Sequence, residues 1–189
     1  MAYDLESARV RIGLMPDDSS KDSQIQTAMI GALSFAEKYC NRQFIKKTES
    51  VKFVHFFNKN LQLSRYPIES VSKIYSGASQ ISSFHVDEKL GVLTFENNIC
   101  SHELIVDYTG GYEVLPADLE MALWRLFDSC WVIMGGSGGA TGGVIKAISS
   151  AGARVEYDVK SSASSGAGAN GVSDPFAESI LDLYRVESC

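Results

Sequence analysis

An α+β fold is predicted: a small helical core, an inserted antiparallel β region, and a flexible C-terminal hairpin-plus-helix arm. Three observations carry this reading. Two stretches hold apolar residues at helical spacing, the region between them alternates with a period of two, and glycine accumulates after the second stretch. Ten of the 16 glycines lie between Gly135 and Gly171.

The N-terminal part, residues 1–44, reads as helices of the core. A short helix is expected from Leu5 to Ile12. The loop MPDDSSKDS leads into a stronger helix from Asp22 to Asn41. Ile25, Ala28, Met29, Ala32, Leu33, Ala36 and Cys40 share one of its faces.

Residues 45–111 read as the β insertion. In SVKFVHFF, Val51, Phe53, His55 and Phe57 alternate with Lys52, Val54 and Phe56, and aromatic and β-branched side chains suit a pleated strand. LQLS forms a short strand, Tyr66-Pro67 a corner, and Val71 to Tyr75 the next strand. FHVDEKLGVLTFE predicts a hairpin turning near Lys89 to Gly91, and LIVDY (Leu104 to Tyr108) completes a sheet of about five or six strands.

Residues 112–134 carry the long core helix. Gly110 and Gly111 allow a sharp exit from the last strand. Pro116 occupies a first helical position, and Asp118 and Glu120 complement the helix N-terminus. Leu119, Ala122, Leu123, Leu126, Phe127, Cys130, Trp131 and Met134 form one broad face. Met121, Trp124, Val132 and Ile133 make a second apolar side. A surface helix should be more polar there, so these four are candidate subunit-interface residues. Cover by the sheet is the equally weighted alternative.

Residues 135–189 form the arm. GGSGGATGG and SSASSGAGANG are flexible by composition, because Gly and Ser bury too little surface to offset chain entropy. VIKAISS and ARVEYDVK between them predict a hairpin. Asp174-Pro175 starts a last helix with Phe176, Ile180, Leu183 and Tyr184 on one side, which can fold back onto its own core or serve as candidate contacts to a partner or a neighbouring subunit.

Composition narrows the function. With 17 Lys and Arg against 23 Asp and Glu, the formal charge is −6, unlike the basic face of a tight nucleic-acid reader. No apolar run is long enough to span a membrane, and no charged leader followed by an apolar stretch predicts secretion. Cys40, Cys100, Cys130 and Cys189 are isolated from one another, which excludes a C-x-x-C metal or redox motif.

The chemical motifs fail on context. GGSGG (Gly135 to Gly139) matches G-x-S-x-G, but a helix precedes it and no histidine follows His102. Gly138 and Gly143 have P-loop spacing, yet Val144 and Ile145 stand where Lys and Ser or Thr are required. His55, His85 and His102 form no H-x-x-x-H pattern. Asp17, Asp18 and Asp22 lack the EF-hand spacing. Phe53, Phe56 and Phe57 lack the interleaved basic residues of an RNA-binding sheet. No catalytic residue, cofactor or metal is expected.

The order of EKYCNRQF closing the second helix, RYPIESVSKIY in the middle, and YTGGY followed by LPADLEMAL resembles tailed-phage head–tail connector proteins. These are head-completion adaptors, here of the longer kind with an inserted β region. The resemblance covers roughly residues 1 to 134; the Gly-rich arm departs from it. It implies a non-enzymatic virion protein of the neck, assembled in the host cytoplasm. Such a protein forms a ring, typically of twelve copies, beneath the portal protein and joins downstream stopper or tail proteins. DNA passes through the lumen without sequence-specific binding, and no membrane is involved. The alternatives are another neck protein (a stopper or tail-completion subunit), a small hydrolase using Ser137, and a monomeric binding module built on the β region.

The hydrolase alternative is testable directly. Ser137→Ala is expected to leave head–tail joining intact, measured by complementation of particles lacking the subunit. Loss of joining by a folded, assembly-competent variant would restore the hydrolase reading.

Overall fold

The computed structural model describes residues 3–135, 148–150, 153–155 and 174–186. Ser137, both Gly/Ser stretches beyond Gly135, and Tyr157 and Val159 lie outside the described residues. The helices are α1 (Leu5–Arg11), α2 (Asp22–Cys40), α3 (Ala117–Ile133) and α4 (Pro175–Leu181), the last followed by one 3-10 turn at Asp182–Tyr184. The strands are β1 (Lys47–Gln62), β2 (Ile68–Ser76), β3 (Ser79–Gln80), β4 (Phe84–Asp87), β5 (Val92–Gly110), β6 (Ile148–Ser150) and β7 (Ala153–Val155). The fold is α+β, and no described helix is long and apolar enough to cross a membrane.

The chain divides into two compact units, one of residues 1–36 and 117–183, the other of residues 37–116 and 184–189. The helical unit is built on the expected apolar faces. Ile25, Ala28, Ala32 and Ala36 of α2 are buried, as are Leu119, Ala122, Leu123, Leu126, Phe127 and Trp131 of α3. Asp4 caps α1 by accepting a hydrogen bond from the Ser7 amide at 2.8 Å. Arg11 of α1 places two guanidinium nitrogens 2.8 and 2.6 Å from the carboxylate of Asp128, which is buried in the middle of α3.

The β unit takes in the last residues of α2, from Glu37. Asn41 has a φ of 52°, the left-handed conformation that ends many helices. The chain then turns Arg42 and Phe44 into the interior. The main sheet runs β1-β5-β2-β3, with β4 also paired to β5. β5 is thus the organising strand, antiparallel to β1 from Lys47↔Gly110 to Gln62↔Val92. LQLS does not form a separate strand; its start extends β1. Leu61, Leu63, Tyr66, Ile68, Ile74, Leu93, Phe95, Leu104, Val106 and Tyr108 make the core of the sheet.

One expected facing is overturned. Phe57 was expected on the same face as Val51 and Phe53, but it is 62% exposed. Phe56 packs instead against the sheet core, its ring centroid 6.1 Å from that of Phe95. His55 has a φ of 55°, and the inward face of β1 changes at this residue without a change of register; a register shift between Asn58 and Asn60 then returns Leu61 to the original phase, buried in the sheet core.

Of the two placements open to the C-terminal helix, α4 packs on its own unit: Ala177, Ile180 and Leu181 are buried, and α4 lies against α3. Beyond it, the Val186 amide donates to the Cys40 carbonyl at 3.0 Å, within the β unit. β6 and β7 pair with each other as a two-stranded hairpin.

Leu123 and Leu126 have no solvent exposure. Replacing either with Ala is expected to destabilise the protein by ~2–5 kcal/mol, because the cavity left behind adds to the lost burial. Denaturant unfolding with an unchanged midpoint in both variants would contradict this core.

Candidate functional site

No three His, Cys, Asp or Glu side chains come together as a metal cluster among the described residues. The features left for function are surfaces.

The α3 residues expected at an interface fall into two groups. Val132 is 52% and Ile133 59% exposed, and Met121 and Met134 are also exposed. These side chains line the solvent side and the C-terminal end of α3. Trp124 is a correction: it is only 6% exposed. The ring of Tyr3 lies 4.8 Å from its centroid, the Arg11 guanidinium 5.4 Å away, and Phe127 meets it edge-on at 5.5 Å. Its indole N–H donates to Glu120 at 3.2 Å. Trp124 is therefore covered by the N-terminal segment of its own unit. Tyr3 completes that cover by donating its hydroxyl to the Met29 carbonyl at 3.0 Å. Burial, with a smaller contribution from Cys130, pushes the Tyr3 phenol far above its ordinary value.

The α4 residues expected to contact a partner divide in the same way. Ile180 is buried at 9% exposure and takes part in the packing of its own unit. Phe176 is exposed beneath the Arg125 guanidinium, 5.2 Å from the ring centroid, and Leu183 is 78% exposed. Tyr184 is half-buried in the β unit, its ring edge-on to Phe44 at 6.1 Å. Asp174 fixes where α4 starts. It accepts from the amides of Phe176 and Ala177 at 3.0 and 3.2 Å and from Arg125 Nε at 2.8 Å. Burial raises the Asp174 pKa, but the Arg125 guanidinium and the two amides outweigh it and hold the carboxyl below its ordinary range.

The β unit contributes an open groove of about 460 Å³ lined by Ile45, Lys46, Lys47, Thr48, Thr109 and Tyr112. Lys46 is held between Glu69 at 2.9 Å and Glu113 at 3.0 Å, and the Thr48 and Thr109 hydroxyls lie 2.8 Å apart. These groups are paired with one another, without the nucleophile–base arrangement of a hydrolase.

The β unit also holds a pair that motif reading passed over. His55 of β1 and His102 of β5 bring their Nδ1 atoms to 3.4 Å. They are far apart in sequence, so only the strand register could have revealed them.

Residues 14–129 match the family model described as head completion protein. Among solved structures, the chain is similar to one from the neck of an empty gene transfer agent particle, computed with C6 symmetry. That likeness has a TM-score of 0.61 at 12% identity, over 98% of this chain and 90% of the other. A chain from the virion of a native gene transfer agent particle gives a TM-score of 0.60 at 13% identity, with the same coverage. No curated protein matches the sequence.

The Asp174 contacts predict a pH-dependent contribution. A carboxyl whose folded pKa is depressed stabilises the fold fully above its unfolded value, here close to 3.8, and loses that contribution as pH falls through the folded value. Asp174→Ala should therefore cost about 1–2 kcal/mol at neutral pH through the lost cap and ion pair. Its deficit relative to the parent should shrink in acid. Thermal unfolding of both proteins across the acid range checks this; a deficit independent of pH would refute it.

Proposed function

The chain belongs to the head completion protein family, structural head–tail connectors of the virion neck, and from that premise we propose that identical copies close into a ring beneath the portal protein. In this reading one side of the ring meets the portal and the other a downstream stopper or tail protein. DNA passes through the lumen held by no base-specific contact, and the subunit performs no catalysis. Assembly takes place in the host cytoplasm, with twelve copies as the expected number.

The match over residues 14–129 is the observation that carries this reading. The sixfold symmetry with which the gene transfer agent neck was computed is compatible with six or twelve subunits per ring. A ring needs a heterologous contact, in which one patch of a subunit meets a different patch of the next. Met121, Val132 and Ile133 are proposed for one such patch because they keep large apolar side chains in solvent along one side of a well-packed helix, Met121 near its start and Val132 and Ile133 at its end. Phe176 and Leu183 are proposed for contact with the portal or a neighbour. Trp124 and Ile180 are excluded from both patches, since each is spent on its own fold.

Val132→Glu combined with Ile133→Glu tests the reading. Both side chains are already solvent-exposed, so the unfolding free energy of the free subunit should stay within about 0.5 kcal/mol of the parent's. Incorporation into heads that carry a portal but lack this protein should fail, as seen by electron microscopy of the neck and by the yield of joined particles. Normal incorporation and joining would remove this patch from the interface.

A further inference from the structure

We propose that His55 and His102 form a two-histidine binding site for one divalent transition-metal ion of the zinc class. The register of β1 and β5 sets Val54 against Glu103 and Phe56 against Ser101, which places His55 directly opposite His102. The two Nδ1 atoms are 3.4 Å apart, and the rings stand nearly perpendicular, at 77°, with centroids 5.3 Å apart. Two nitrogens bound about 2.0–2.1 Å from one tetrahedral ion are themselves separated by about 3.3–3.4 Å. The pair therefore already has the spacing that a single ion would impose.

His55 reaches this position through a φ of 55°, which is uncommon for any residue with a β-carbon and costs local backbone strain. This residue also reverses the facing of β1. The strain thus falls on the side chain that completes the pair.

The donor chemistry selects the ion. Neutral imidazole suits zinc, nickel, copper and cobalt, whereas calcium and magnesium require clusters of oxygens. The nearest carboxylate on the same strand, Glu103, is 2.9 Å from Lys52 Nζ. No third His, Cys, Asp or Glu completes a cluster among the described residues. The remaining coordination positions are left to water or to a donor from another molecule. Without an ion, one Nδ1–H donates to the other Nδ1. With an ion, both Nδ1 lone pairs face the metal and both rings carry their proton on Nε2, so neutral rings bind without net loss of a proton. The site lies wholly within the β unit and does not depend on ring formation.

The test uses the untagged full chain, titrated with Zn²⁺ by calorimetry and with Co²⁺ by visible absorption. One ion per subunit is expected, with the d–d bands of a low-symmetry site and a rise in the unfolding midpoint. His102→Gln and His55→Asn should each weaken binding at least about tenfold, and Asn tolerates the left-handed backbone at that position. His85→Gln, elsewhere on the sheet, should bind as the parent does. Absence of saturable binding below about 1 mM would overturn the proposal, and so would binding that survives both His55→Asn and His102→Gln.

Discussion

The incoming and outgoing ends of the β unit are fastened to each other, and the rest of the architecture depends on that clasp. The Tyr112 amide donates to the Phe44 carbonyl at 2.7 Å, and the Lys46 amide returns a bond to the Tyr112 carbonyl at 3.0 Å. The Gly111 amide donates to the Pro67 carbonyl at 2.9 Å, and the Gln43 amide to the Ser64 carbonyl at 2.7 Å. A β-carbon on Gly110 would stand 2.5 Å from the Arg65 carbonyl oxygen, and one on Gly111 2.7 Å from that of Ile45. Gly111 also has a φ of +98°. The backbones approach so closely that only glycine fits. Closing a long insertion costs chain entropy, and these backbone bonds, made at its base, help to offset it.

Two buried arginines surround the clasp. The Arg42 guanidinium lies 3.4 Å from the Tyr66 ring centroid, with Phe44 and Tyr112 at 5.2 and 5.6 Å, and donates to the Tyr66 carbonyl. Arg65 donates to the Ile45 carbonyl and the Gln43 side chain and stands 3.4 Å from Glu49. Glu49 in turn accepts from the Tyr108 hydroxyl at 2.7 Å. Burial and this carboxylate together push the Tyr108 phenol up to about 12. A planar cation with several donors can link aromatic faces and carbonyls at once, which a lysine cannot do. The segments NRQF and YTGGY, which carry the family resemblance, therefore sit on the two sides of one packing problem.

The helical unit solves a different problem, that of covering a helix apolar nearly all round. α3 buries Leu119, Leu123, Leu126, Phe127 and Trp131 within its own unit. Tyr3 and Arg11 cover Trp124, and α4 adds Ala177, Ile180 and Leu181. On α3, Met121 and the C-terminal turn remain in solvent; elsewhere in the unit Val10, Met15, Ile30, Phe176 and Leu183 are exposed. A connector must hold its own fold and still present adhesive surface. The division of these apolar side chains is compatible with both demands.

Local residue pattern specifies the elements and, through its ordered motifs, the family. The 3.6-residue spacing marked α2 and α3 to within about a residue, because long amphipathic faces repeat over several turns. The period of two marked the sheet, and the ordered motifs pointed to head–tail connectors before any contact was known. The remaining features arise from contacts between distant segments. Periodicity cannot show that Tyr3 and Arg11 cover Trp124, since the covering residues come from a distant segment. It cannot show that α4 packs on α3 through Ala177 and Leu181, small or displaced from the expected stripe. The alternation of β1 misled between Val54 and Asn58, because the facing changes at the left-handed residue His55 and is restored only by the register shift between Asn58 and Asn60. The pairing of His55 with His102 likewise follows from register, which is set by long-range hydrogen bonds and leaves no local signature.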